Sequence, residues 1–232
     1  MSEAAVVEAR SEKLVLFPRL GSLLAIAPLG TWVVWHLWQN LYAWRGDGAW
    51  SEHVVSTSIT SEGRVYTGNP IAATAVSVLV FAPLLVHLVW GMRRISMAKP
   101  NGYKFFGNVK YVLQRLSAVG VLGFLAAHVY LARISPALHQ PTGHESFEDL
   151  AAHMAHHPPT LVVYLLGVLG TAFHLANGLY TAAFIHGLAA SPKAQRRMQA
   201  FSLAFFVLML GVGWGAVAGL FQQGAAFVPP VD

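Results

Sequence analysis

Residues 160–186 read TLVVYLLGVLGTAFHLANGLYTAAFIH, a run of 27 residues without Asp, Glu, Lys or Arg. Crossing a bilayer core takes about 20 helical residues. Inside lipid each backbone N–H and C=O needs an internal partner, which leaves helices or a closed barrel. The run lacks the polar/apolar alternation of a barrel strand, so it predicts a transmembrane helix. Pro158 and Pro159 stand just before it, at helix-opening positions where a missing N–H costs little. Four further segments have the same character, at about 20–44, 70–92, 112–133 and 199–222, with Pro70 opening the second of them. The expectation is an all-α membrane protein, one integral domain over residues 1–232 with five transmembrane helices.

Composition agrees with this expectation. Of 232 residues, 55% are hydrophobic and 11% charged, where a soluble domain carries roughly 25% charged residues. There is no cysteine, which excludes disulfides, thiolate metal sites, iron–sulfur ligation and covalent C-x-x-C-H haem attachment. The first 17 residues are polar or mixed and the first apolar run is too long for a signal h-region, so that run reads as a retained helix. The net charge of +5 follows from topology and does not call for nucleic acid. Twelve of the fifteen Lys and Arg residues fall in the N-terminal tail, residues 93–115 and residues 193–197, and the other side of the membrane holds Arg45, Arg64 and Arg133. The positive-inside rule then predicts a cytoplasmic N-terminus and, after five spans, an outside C-terminus, with residues 45–69 and 134–158 as polar outer loops.

Four of the eleven histidines lie inside apolar segments, one in each of the first four: His36, His87, His128 and His174. A buried ionisable side chain in a membrane is costly and marks a functional site by default. A single such histidine is as well explained by a hydrogen bond to a neighbouring helix; one on each of four helices is not. Measured from the outer helix ends at 1.5 Å per residue, His36 and His128 lie ~13 and ~8 Å deep, and His87 and His174 ~26 and ~22 Å deep. Two tiers about 14 Å apart predict two haems. His36 and His128 would ligate the outer iron, and His87 and His174 the inner one. Bis-imidazole ligation leaves no open iron position and suits electron transfer. Arg19, Ser22, Arg94, Arg115 and Lys193 are at the depth of inner haem propionates, though basic residues there also snorkel to the interface. Gly167, Gly170 and Gly178 share a face with His174, as a haem edge or close helix packing would require. The outer loop with His139, His144, His153, His156 and His157 fits no standard zinc spacing.

The stretch Phe173-His174-Leu175-Ala176-Asn177-Gly178-Leu179, with Pro83-Leu84-Leu85-Val86-His87 and Gly91 in the second helix and the order of the four histidines, resembles the dihaem cytochrome b membrane subunit of succinate:quinone oxidoreductases. The resemblance spans about residues 14–223. It implies a bacterial inner-membrane anchor and electron-transfer subunit of respiratory complex II, with two haem b groups. It also implies a flavoprotein partner with FAD, an iron–sulfur subunit on the cytoplasmic face, and quinone chemistry, with menaquinone, near the outer haem. An acidic residue after the first helix serves the quinone site in relatives; Glu62 is nearest in position and Glu52 second. Two other readings share the histidines: a dihaem cytochrome b serving a hydrogenase or formate dehydrogenase, and a haem-free anchor.

Overall fold

A computed structural model describes residues 19–55, 59–62, 65–68, 71, 74–75, 77–99, 102–103, 105–139 and 145–228. Five helices in it are long and apolar enough to cross a membrane: α1 Arg19–Arg45, α2 Val78–Ser96, α3 Phe106–His139, α5 Pro158–Ile185 and α6 Pro192–Gly224. A shorter helix, α4 Phe147–His156, lies between α3 and α5. The all-helical membrane architecture expected from the apolar runs is present. Its one sheet among the described residues is a hairpin in the first polar loop, β1 Ile59–Glu62 paired antiparallel with β2 Val65–Gly68.

The bounds differ from those expected at several ends; among the described residues α2 runs Val78–Ser96 where 70–92 was expected. α3 extends beyond 112–133 at both ends, and α6 begins at Pro192 where residue 199 was expected. Charged residues mark where a helix leaves lipid, and the helix itself continues into the interface. Lys110 shows how: its ammonium lies 3.8 Å from the Tyr180 ring centroid and 5.1 Å from that of Phe106, on the helix and near water. Pro158 and Pro159 occupy the first turn of α5, and Pro70 lies outside the described residues.

Residues 187–198, expected as a loop, form a tight turn and the first turns of α6. Gly187 takes φ +77°, a left-handed conformation that costs glycine little. Leu188 N–H then donates to Ala183 O at 2.8 Å and Gly187 N–H to Phe184 O at 3.0 Å. This Schellman pairing satisfies carbonyls that the helix end would orphan. Ser191 restarts the chain as a helix cap, its hydroxyl accepting from Ala194 N–H at 3.2 Å.

α4 corrects the expectation of a solvated polar loop over residues 134–158. Ser146 caps it by accepting from Asp149 N–H at 3.0 Å. Phe147, Leu150, Ala151 and Met154 form one helical face, and all are buried. They join Ala43, Trp50, Tyr164, Val168, Val217 and Leu220 in one apolar cluster. The end of α6 passes so close beneath α4 that a Cβ on Gly224 would overlap the Ala151 carbonyl. The packed core therefore sits at the α4 end of the bundle. By contrast, α2 and the Phe106–Val129 part of α3 contain no buried residue. α2 meets α1 where the Trp90 ring lies against Gly21.

Candidate functional site: two histidine pairs

The four span histidines meet in two pairs. The His36 and His128 ring centroids are 5.9 Å apart with an interplanar angle of 59°. Those of His87 and His174 are 6.2 Å apart at 74°. With ~2 Å from a metal to each imidazole nitrogen and ~1 Å more to each ring centre, two axial imidazoles sit about 6 Å apart. Both separations fit one iron between the rings. The pairing, α1 with α3 and α2 with α5, is the one that helical depth predicts.

Each tier has its own packing. At the α4 end, Trp32 stacks on His36 at 5.9 Å and 10°, and Phe124 stacks on His128 at 5.6 Å and 20°. His128 Nδ1 lies 3.2 Å from the Tyr164 hydroxyl. Asn40 donates to the His36 carbonyl at 2.8 Å and accepts from Trp50 Nε1 at 3.1 Å. At the basic end, His174 Nδ1 lies 3.3 Å from Ser117 Oγ and 3.2 Å from Gln114 Nε2. Asn177, itself buried, donates to Gln114 Oε1 at 2.8 Å. His87 Nδ1 is buried with no hydrogen-bond partner among the described residues.

The basic residues separate into three groups. Arg94 closes α2 and Arg115 lies in the first turns of α3. The Arg115 guanidinium lies 3.3 Å over the Tyr111 ring, donates to Tyr111 O at 2.9 Å, and has its Nε buried without a partner. The unpartnered buried Arg115 N–H suits an anionic acceptor, and a haem propionate would fit that chemistry. Arg19 and Ser22 are used otherwise, tying the start of α1 to the end of α5. Arg19 Nε donates to Ile185 O at 3.3 Å, and the Ser22 hydroxyl lies 2.9 Å from His186 Nε2. Lys193 lines a surface depression with Leu188, Ser191 and Arg197 from its own turn and helix.

Gly167, Gly170 and Gly178 all face α3: a Cβ on them would meet Phe124, Val121 and Gln114 respectively. Close helix packing accounts for the small-residue register. Glu62 closes β1 opposite Val65, and its side chain lies outside the described residues. Glu52 is exposed on the segment Ser51–Val55. In the loop between α3 and α4, His144 lies outside the described residues. Among the described residues no group of three or more His, Asp or Glu side chains converges on a metal site. His139 and His153 bond within their own turns, to Ser135 O and Asp149 O, and His156 reaches across to the Gly224 and Phe227 carbonyls at the end of α6.

Sequence reasoning missed Gln114, Ser117, Asn177 and Tyr164. Each is a polar group inside an apolar run, a signal available in principle, since such groups seek partners across helices.

Comparison with known proteins gives two matches. Residues 102–213 match the model of the succinate dehydrogenase/fumarate reductase transmembrane subunit family. The chain is also 32% identical over 203 residues to the succinate dehydrogenase cytochrome b558 subunit of Bacillus subtilis (strain 168), covering 87% of this chain and 94% of that protein.

Proposed function

Because the chain belongs to the succinate dehydrogenase/fumarate reductase transmembrane subunit family, we propose that it is the membrane anchor and electron-transfer subunit of a succinate:quinone oxidoreductase holding two b haems. The observation that carries this reading is the meeting of four histidines, from four different spans, in two pairs at the separation of axial ligands. The relative's name, a cytochrome b subunit of succinate dehydrogenase, supports both the cofactor class and the parent complex.

His36 and His128 would hold the haem near α4, and His87 and His174 the haem near the basic end. Held by these imidazoles, haem would supply reversible one-electron carriage. The residues around each pair do the rest. Trp32 and Phe124 flank the first pair and keep its rings from turning. Arg115, with Arg94, offers positive charge and a free buried N–H to a propionate of the second haem. Arg19 and Ser22 also bond to the end of α5, and Lys193 lines a surface depression, so Arg115 is the first choice among these residues for a propionate contact.

By the positive-inside rule, the basic residues support a reading in which the N-terminus and the basic end lie on the cytoplasmic side of a bacterial inner membrane. An iron–sulfur subunit carrying its clusters would dock there and connect to a flavoprotein with FAD. The α4 end would then face outward, with quinone, menaquinone by resemblance, handled near the His36–His128 pair and Glu62 as the acidic candidate. Purification of the native complex with quantification of haem, flavin and subunits tests the proposal. Two haems per chain and a co-purifying flavin-bearing partner are expected; a haem-free preparation, or one without flavin, contradicts it.

A further inference from the structure

The two imidazoles of the basic-end pair are held unequally. His87 Nδ1 is buried without a partner among the described residues, while His174 Nδ1 sits among side chains of α3. An iron ligand binding through Nε2 carries its proton on Nδ1, and that N–H needs an acceptor. Ser117 supplies one. Its hydroxyl donates to Gln114 O at 3.0 Å, which leaves its oxygen lone pairs for the His174 Nδ1–H at 3.3 Å. Gln114 cannot serve, since its amide nitrogen only donates; it donates to the His174 carbonyl at 3.1 Å. Its own oxygen is taken by Asn177 Nδ2 at 2.8 Å. Ser117 Oγ is then the acceptor for Nδ1–H, while Gln114 Nε2, 3.2 Å from Nδ1, directs its hydrogen to the His174 carbonyl instead.

We propose that Ser117 and Gln114 are positioning residues for His174. Ser117 fixes the tautomer that frees Nε2 for iron, and Gln114 locks α5 against α3 so that the ring keeps its angle to His87. This inference rests on the ligation reading above and adds a residue-level control of the haem at the basic end. An N–H donating to Ser117 makes the imidazole a stronger electron donor and favours ferric iron. Removing the acceptor favours ferrous iron and raises the midpoint potential. Outer partners of metal-bound histidine typically contribute 10–100-fold to metal affinity or activity. The lower bound, tenfold in the ferric/ferrous equilibrium, is about 59 mV for one electron.

The test is a redox titration of the purified complex carrying Ser117→Ala, Ser117→Thr or Gln114→Met, with low-spin haem signals followed by electron paramagnetic resonance. Ser117→Ala should raise the potential of the basic-end haem by about tenfold in equilibrium, or lose that haem alone. Ser117→Thr should restore the wild-type value. Gln114→Met should shift the g-values of that haem, which report the angle between ligand planes. The α4-end haem should not change in any variant. A basic-end potential within twofold of wild type in Ser117→Ala, or equal shifts of both haems, overturns the proposal. Absence of haem from the wild-type complex would instead overturn the ligation reading.

Discussion

Replacing Gly167 with alanine should damage the haem near α4 and spare the other. Gly167 is buried in α5, and an added Cβ would fall on Cγ and Cδ2 of the Phe124 ring. Those are the ring atoms nearest the Phe124 backbone, so the side chain cannot swing its far end clear. The ring must tilt or α3 must retreat from α5, and overpacking of this kind costs about 1–3 kcal/mol. The displacement has a specific address. Phe124 stacks on His128 at 5.6 Å and meets the Tyr164 ring edge-on at 5.4 Å, and His128 faces His36 at 5.9 Å. One turn along the same face, a Cβ on Gly170 would lie 3.4 Å from Val121 Cγ2, an ordinary contact. Gly170→Ala is therefore the control. Haem content, redox titration and thermal stability of the purified complex provide the assay. Gly167→Ala should lose or shift the α4-end haem and lower Tm, with the basic-end haem unchanged, and Gly170→Ala should behave as wild type. Equal damage from the two substitutions, or an effect of Gly167→Ala on the basic-end haem alone, would refute the reasoning.

Three further outcomes follow. Arg115→Gln should weaken retention of the basic-end haem by roughly 10–100-fold, the worth of a charge-assisted hydrogen bond of about 1.5–3 kcal/mol; Arg94→Gln should do less because Arg94 is exposed, and Lys193→Gln should do nothing to haem release followed spectroscopically. Glu145, just before the Ser146 cap, has its carboxyl pushed up to about 7 from an ordinary 4.5 by burial first and by Asp149 second. The fold thus prefers the protonated acid: that stability is fully present below pH 4.5, declines as pH rises, and is gone above about 7. Hydrogen-exchange protection factors in α4 should fall from pH 5 to pH 8 in the wild type and stay level in Glu145→Gln; parallel falls in both would show that another group is responsible. Met154, on the inner face of α4, is 0% exposed, so Met154→Ala should cost about 2–5 kcal/mol and lower the thermal midpoint, and a loss under 1 kcal/mol would mean that α4 packs elsewhere.

The spans and the pairing of histidines were legible because lipid enforces simple rules. Apolar length reveals a helix, and a histidine within it reveals depth, since rise per residue is fixed. Helix ends were less legible: Lys110 and Arg133 mark the interface, and α3 continues past both. The helix α4 was hidden by composition. Its apolar face of Phe147, Leu150, Ala151 and Met154 is interleaved with Glu148, Asp149, His153 and His156, and the eye reads polarity before period. The Ser146-x-x-Asp149 spacing was the available cue, and it is the pair that caps the helix. The polar clamp of Gln114, Ser117 and Asn177 could be located on spans but not joined to His174, because contacts between helices leave no periodicity in one chain. The glycine register pointed equally to a haem edge and to helix packing, and only the position of α3 separates these.

Whether four imidazoles clamp two haems in two tiers is decided by haem quantification in complexes with each histidine replaced singly by alanine. Two haems per wild-type chain are predicted, with one left in each variant. His36→Ala and His128→Ala should keep the same haem, and His87→Ala and His174→Ala the other, told apart by midpoint potential. Loss of one and the same haem in all four variants, or retention of both in any of them, would contradict the account.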